Sequence, residues 1–203
     1  MFTSKARVIL FIDYQNTYKC ARKTFFPCPD NFTQGQYDPL AMGKLICSKA
    51  PPEYPRILKE VRVYSGQPDG HKEPKGYGAT QKQFSVWRKK GIVVITRPLR
   101  YPPDWPDSKA EEKGIDVQIA IDFIAAAIDK KFDIGIIAST DTDLIPAIEF
   151  VCDRYKNKPR AEACAWRGPG QNRQLYSKKY KLWCHYLKKT DYDSIIDSID
   201  YTK

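Results

Sequence analysis

Histidine is scarce in this chain of 203 residues, with only His71 and His185 present. No Ser–His–Asp set is visible, and neither histidine invites a Cys–His nucleophile reading. Cys184-His185 reads instead as the edge of a packed helix. Cysteine occurs six times but never as CxxC, and its spacings do not suit structural zinc. That pattern favours reduced thiols in a cytoplasmic protein over a disulfide framework. No apolar run reaches the roughly 18 residues of a membrane-spanning helix, so none is expected. The opening stretch to Ile12 is too short, and meets Asp13 too soon, for a secretory signal. Glycine-rich phosphate loops of the GxxxxGK[ST] or GxGxxG type are missing, which leaves ATP or NAD chemistry without support. Internal repeats, low-complexity tracts and familiar helical DNA-reading motifs are absent as well.

What is present is positive charge. Lys and Arg number 34 against 24 Asp and Glu, a formal net charge of +10. Such a balance suits contact with a polyanion. Five segments read as buried strands: Val8–Ile12, Val61–Ser65, Ile92–Thr96, Ile134–Ala138 and Ala161–Ala165. Helical patterns lie between them at Asn16–Phe25, Pro39–Lys49, Thr80–Lys90, Asp116–Asp129 and Leu144–Tyr155. Alternating strands and helices predict an α/β fold with a parallel sheet covered on both faces. The expected strand order is 3-2-1-4-5, in one domain over 1–203 with a core at 5–165 and an extension at 166–203 packed on it. In the tail, Ile195, Ile196 and Ile199 recur at helical spacing and predict a docked short helix. Two connections, Gly66–Ala79 and Arg97–Gly114, are longer than usual and carry bases, prolines and the aromatics Tyr77, Tyr101 and Trp105.

The acids are placed unusually. Ser139-Thr140-Asp141-Thr142-Asp143 directly follows the fourth strand, and Asp13 directly follows the first. In an open parallel sheet, ligands bind beyond the carboxyl ends of strands where the order reverses, here between strands 1 and 4. The Asp116–Asp129 helix is nearly apolar all round and is therefore expected to be buried. Asp116 at its start is a candidate ligand. Asp122 is expected behind it, or paired with a base. Crowded carboxylates repel unless a cation lies between them, and hard Mg²⁺ or Mn²⁺ suits oxygen donors. Each acid also has a plainer use. Asp13 or Asp143 would cap a helix, and Asp116 would complement a helix dipole. Asp13, Asp116 and Asp141 are the expected ligands, with Asp143 direct or through water. Asn16 would orient water or touch substrate, and Lys113 would neutralise phosphate charge.

The chain resembles the NYN domain family, a branch of the PIN-like metal-dependent nucleases. The matching stretches are FIDYQN at Phe11–Asn16, VRVYSGQPD at Val61–Asp69 and RPLRYP at Arg97–Pro102. EKGIDVQIAIDFI at Glu112–Ile124 and STDTDLIPAIE at Ser139–Glu149 complete the set. Leu144 replaces a phenylalanine common in the family, a packing change that touches no ligand. The resemblance implies a Rossmann-like α/β/α fold and Mg²⁺- or Mn²⁺-dependent endoribonuclease activity, with RNA, tRNA included, as substrate. Lys72, Lys75, Arg97, Arg100 and Lys109 would track the RNA backbone, while the loop aromatics stack on bases. A non-catalytic RNA-binding module and a structure-selective DNA nuclease are the competing readings. A homodimer or an antitoxin-like regulator is the protein partner left open.

Overall fold

The computed structural model describes residues 5–156, 158–169 and 171–203. Six strands form one sheet: β1 (Ala6–Asp13), β2 (Arg56–Gln67), β3 (Val93–Pro98), β4 (Ile134–Ala138), β5 (Arg160–Trp166) and β6 (Cys184–Leu187). The order is β3-β2-β1-β4-β5-β6, and every neighbouring pair is parallel. The helices are α1 (Tyr14–Phe25), α2 (Pro39–Ser48), α3 (Pro74–Lys89), α4 (Ile115–Ile128), α5 (Ile145–Arg154) and α6 (Lys189–Asp193).

Strand β1 sits at the centre and alternates between two cores. Val8, Leu10 and Ile12 pack with Met42, Phe84 and Trp87 from α2 and α3. Ile9 and Phe11 face the other way, onto Ile119 and Phe123 of α4 and Ile148 of α5. A strand buried on both faces needs the continuous apolar run that Val8–Ile12 supplies. Because all strands are parallel, their carboxyl ends share one edge. Asp13, Gln67, Pro98 and Ala138 end their strands there.

The sheet has one strand more than expected. Cys184-His185 is not a helix edge but part of β6, with His185 in register with Cys164 of β5. A four-residue edge strand is too short to show a periodicity. The Gly66–Ala79 connection is also shorter than expected. Strand β2 continues through Gln67, and α3 begins at Pro74, where proline's missing N–H costs nothing. Gly76 and Gly78 hid that first turn because glycine is a poor helix former. In the tail only Lys189–Asp193 is helical. Ile195 is buried, whereas Ile196 and Ile199 are exposed. Helix α4 is not buried all round either. The sheet covers one side, and Val117, Ile121 and Ile128 on the opposite side face solvent.

Candidate metal centre

Strand β1 runs into α1 without a loop, so Asp13 ends the strand and caps the helix. Its Oδ1 accepts the Asn16 N–H at 3.1 Å. Its Oδ2 accepts the Ser139 hydroxyl at 3.1 Å. Ser139 follows β4, which lies beside β1 with Ile12 in register with Ala138. The same Ser139 Oγ accepts the Asp141 N–H at 3.1 Å, and Asp141 Oδ1 accepts the Asp143 N–H at 3.0 Å. Asn16 Oδ1 accepts both the N–H and the hydroxyl of Thr140, at 3.0 and 3.1 Å. Hydrogen bonds therefore lock the ends of β1 and β4 together.

Helix α4 completes the site. Gly114 stands before its first residue at φ 73°, a left-handed conformation that glycine adopts without strain. The turn places Asp116 in the first helical turn. Asp13, Glu112, Lys113, Asp116 and Asp141 together line one open cleft of about 490 Å³. Burial pushes the Asp13 carboxyl up to about 6, and the charges of Glu112 and Asp141 add to that. The Asn16 and Ser139 hydrogen bonds offset only part of it.

Glu112 is the acid that the sequence did not single out. It accepts the Gly66 N–H, and burial raises its carboxyl. A Cβ at Gly66 would lie 2.7 Å from Glu112 Cγ, so this approach requires glycine. Glu111 stands beside it with the same chemistry, and only the loop's path separates their roles.

The other expected site residues are distributed as follows. Asp143 is exposed and outside the cleft lining. Asn16 has its side-chain oxygen committed to Thr140, which makes it a positioning residue. Asp122 is paired, though not with a base: the Tyr64 hydroxyl donates to it at 2.9 Å and the Gln118 amide at 3.1 Å. Lys72, Lys75, Arg97, Arg100 and Lys109 are all exposed. Lys72 lies 4.5 Å above the Tyr101 ring. Tyr101 donates its hydroxyl to Glu73 and accepts the Asp69 N–H, at 2.7 and 2.8 Å. The hydroxyl thus staples the β2–α3 turn to the β3–α4 connection. A second cavity of about 370 Å³ opens between Tyr77, Lys72 and Tyr101.

The donor set suits a hard divalent cation: four acidic residues line one solvent-open cleft, and among the described residues no base is paired with the most buried of them, Asp13. Among the described residues no three His, Cys, Asp or Glu side chains converge tightly enough to enclose an ion. Mg²⁺ does not need such a cage, since it commonly binds through one or two carboxylates and keeps several waters.

The NYN domain family model matches residues 7–158. The crystal structure of a protein of unknown function from Vibrio parahaemolyticus has the same fold. Its TM-score is 0.57 at 19% identity, over 97% of this chain and 99% of that one. No curated protein sequence matches at a significant level. The family match spans β1 to the end of α5 and takes in Asp13, Glu112, Asp116 and Asp141, so the chain belongs to the NYN domain family, within the PIN-like nuclease superfamily.

Proposed function

We propose that the protein is a metal-dependent endoribonuclease. The observation that carries this reading is the convergence of Asp13, Glu112, Asp116 and Asp141 on one open cleft at the carboxyl edge of a basic protein's sheet. Asp13, Asp116 and Asp141 would take up Mg²⁺ or Mn²⁺ in the cleft, one or two of them binding it directly and the others, with Glu112 and Asp143, through water. A bound ion there would polarise a phosphate oxygen and lower the pKa of coordinated water for in-line attack on phosphorus. Lys113, at the cleft wall, offsets phosphate charge. Asn16 holds the Thr140 turn and so fixes where Asp141 points. Ser139 does the same for Asp13 through its hydrogen bond. Lys72, Lys75, Arg97, Arg100 and Lys109 lie on connections and elements that end at the cleft's edge of the sheet. They supply a path for the backbone of single-stranded or structured RNA.

The test is cleavage of a labelled panel of single-stranded RNA, tRNA and flap DNA in Mn²⁺, in Mg²⁺ and in EDTA, beside Asp141→Asn. Metal-dependent RNA cuts that fall at least about 100-fold in the variant are expected, the scale of removing one key electrostatic group. Preference for the flap would replace this reading with a DNA nuclease. RNA binding with no cleavage by the wild type in either metal would replace it with a binding module.

A further inference from the structure

The positive charge of this chain is concentrated in one stretch. Residues 154–189 carry 11 of the 34 Lys and Arg but only one of the 24 Asp and Glu, a formal charge of +10. The rest of the chain sums to zero. The stretch builds β5, the connection after it and β6, at the edge of the sheet farthest from β3. All 11 of its bases are exposed. Charge that only keeps a protein soluble has no reason to gather on one edge, whereas a concentrated field of one sign steers and holds a polyanion.

The charge surrounds a shaped depression lined with aromatic rings. Two adjoining cavities, of about 650 and 730 Å³, open at the amino ends of β5 and β6, and Arg160, Glu162 and Trp183 line both. Lys156 and Lys181 stand in the first with Tyr155 and Tyr180. Lys158 stands in the second with Tyr54. Trp183 is 64% exposed and Tyr54 69%. The platform is braced. Trp183 accepts the Ala163 N–H on its main-chain oxygen at 2.9 Å, and Ser177 Oγ accepts the N–H groups of Lys179 and Tyr180 at 3.0 and 3.1 Å. Most of the lining acids are already neutralised. Asp153 is bound by Lys179 at 2.6 Å, Asp133 by Arg7 at 3.2 Å and Glu162 by Arg56 at 2.7 Å. Among the described residues only Glu53 of these acids lacks a salt bridge, and Lys156, Lys158 and Lys181 are in none.

We propose that this depression binds single-stranded RNA, with nucleobases stacking on Trp183 and the neighbouring tyrosines and phosphates lying along Lys156, Lys158 and Lys181. Basic side chains interleaved with rings in a groove grip a single strand without reading its sequence. A duplex keeps its bases stacked inside and offers the rings nothing. An acidic protein segment would use the charge and have no need of the rings. The groove is separate from the acid cleft. Arg160 is in register with Ile134, the first residue of β4, and the cleft's turn follows Ala138, the last, roughly 13 Å along the strand. Exposed Arg167 and Lys188, just past the carboxyl ends of β5 and β6, continue the charge toward the edge that holds the cleft. RNA as the ligand rests on the nuclease reading, but binding at this edge needs no cleavage.

Anisotropy of a fluorescein-labelled oligouridine of about 16 nucleotides, titrated in EDTA, measures binding apart from cleavage. Trp183→Ala is expected to weaken affinity by about 5- to 150-fold, the scale of losing one stacked base, and to leave the salt dependence unchanged. Trp183→Phe keeps a ring and is expected to recover most of that loss. Lys156→Ala, Lys158→Ala and Lys181→Ala together are expected to lower the slope of log affinity against log salt by roughly 2. A wild type that does not bind oligouridine at low salt overturns the proposal. So do an affinity unchanged in Trp183→Ala and a salt slope unchanged in the triple variant. Polyglutamate bound as tightly as oligouridine, with Trp183→Ala affecting neither, would make this edge a docking surface for acidic protein instead. Ultraviolet crosslinking of oligouridine to the wild type depends on no variant folding. Attachment at Trp183 or Tyr180 is expected, and attachment confined to Tyr77 and Tyr101 overturns the site. RNA bound at this edge but left uncut in Mn²⁺ and in Mg²⁺ upholds the groove and counts against the nuclease reading alone.

Discussion

Asp13 is asked to be charged and buried at once. It is 6% exposed, caps α1, and has Glu112 and Asp141 as charged neighbours rather than a base. Its carboxyl, ordinarily near 3.8, is raised to about 6. A raised carboxyl favours the folded state most at low pH, and that contribution is lost as pH rises from about 4 through about 6. Asp13→Asn keeps the helix-capping oxygen and removes the charge. We expect the metal-free variant to be more stable than wild type at pH 7.5, by on the order of 2 kcal/mol, or roughly 4–8 °C in Tm. The advantage should shrink below about pH 5, and cleavage should be lost at every pH. Thermal melts in EDTA from pH 4 to pH 8 check this, and a variant that melts lower than wild type at pH 7.5 refutes it. Asp13, Asp116 and Asp141 were legible as candidates because strand ends and helix starts are local features. Glu112 was not, because its position depends on how a loop crosses Gly66.

At the scale of elements, the β2–α3 turn and the β3–α4 connection act as one surface. Tyr101 ties them together by two hydrogen bonds, and Lys72 lies over its ring. Lys75 is in the first turn of α3, and Arg100 exchanges two main-chain hydrogen bonds with Glu111. Both bases are thus carried on a braced backbone with their side chains free to reach a phosphate. Lys75→Ala with Arg100→Ala should lower the slope of log affinity against log salt by roughly 1.4 for single-stranded RNA, about 0.7 for each phosphate no longer neutralised. Metal binding should be unchanged. Titration at several salt concentrations reads this out, and an unaltered slope would take these loops off the binding face. Helix α4 shows the limit of pattern reading. Its composition announced an apolar helix, but composition alone does not say that the sheet covers only one of its two apolar sides.

Across the whole molecule, the acid cleft has a counterpart at the opposite edge of the sheet. There Arg56, at the start of β2, donates to both Glu162 oxygens at 2.7 and 3.1 Å, and His185 of β6 meets the same carboxylate at 2.6 Å. The Arg56 and Glu162 side chains are only 9% and 7% exposed. Burial alone would raise the Glu162 carboxyl. The His185 and Arg56 hydrogen bonds and the charges behind them outweigh it, so the carboxyl ends below its ordinary 4.5. A lowered carboxyl stabilises the fold above that ordinary value, and the contribution is lost as pH falls below about 4.5. Glu162→Gln should strand a buried guanidinium and cost about 3 kcal/mol near neutrality, with a smaller loss at about pH 3. Urea melts at the two pH values check both. The sequence by itself determined the parallel α/β order and the acids at the strand ends, because apolar runs and the residues that stop them are written locally. Only the tertiary structure decided that Glu112 joins the cleft, that Glu162 is neutralised from β2 and β6, that Cys184–Leu187 closes the sheet, and that one side of α4 is left bare. Each of these is a meeting of segments far apart in the chain, settled by how the whole sheet packs and by no pattern within any one segment.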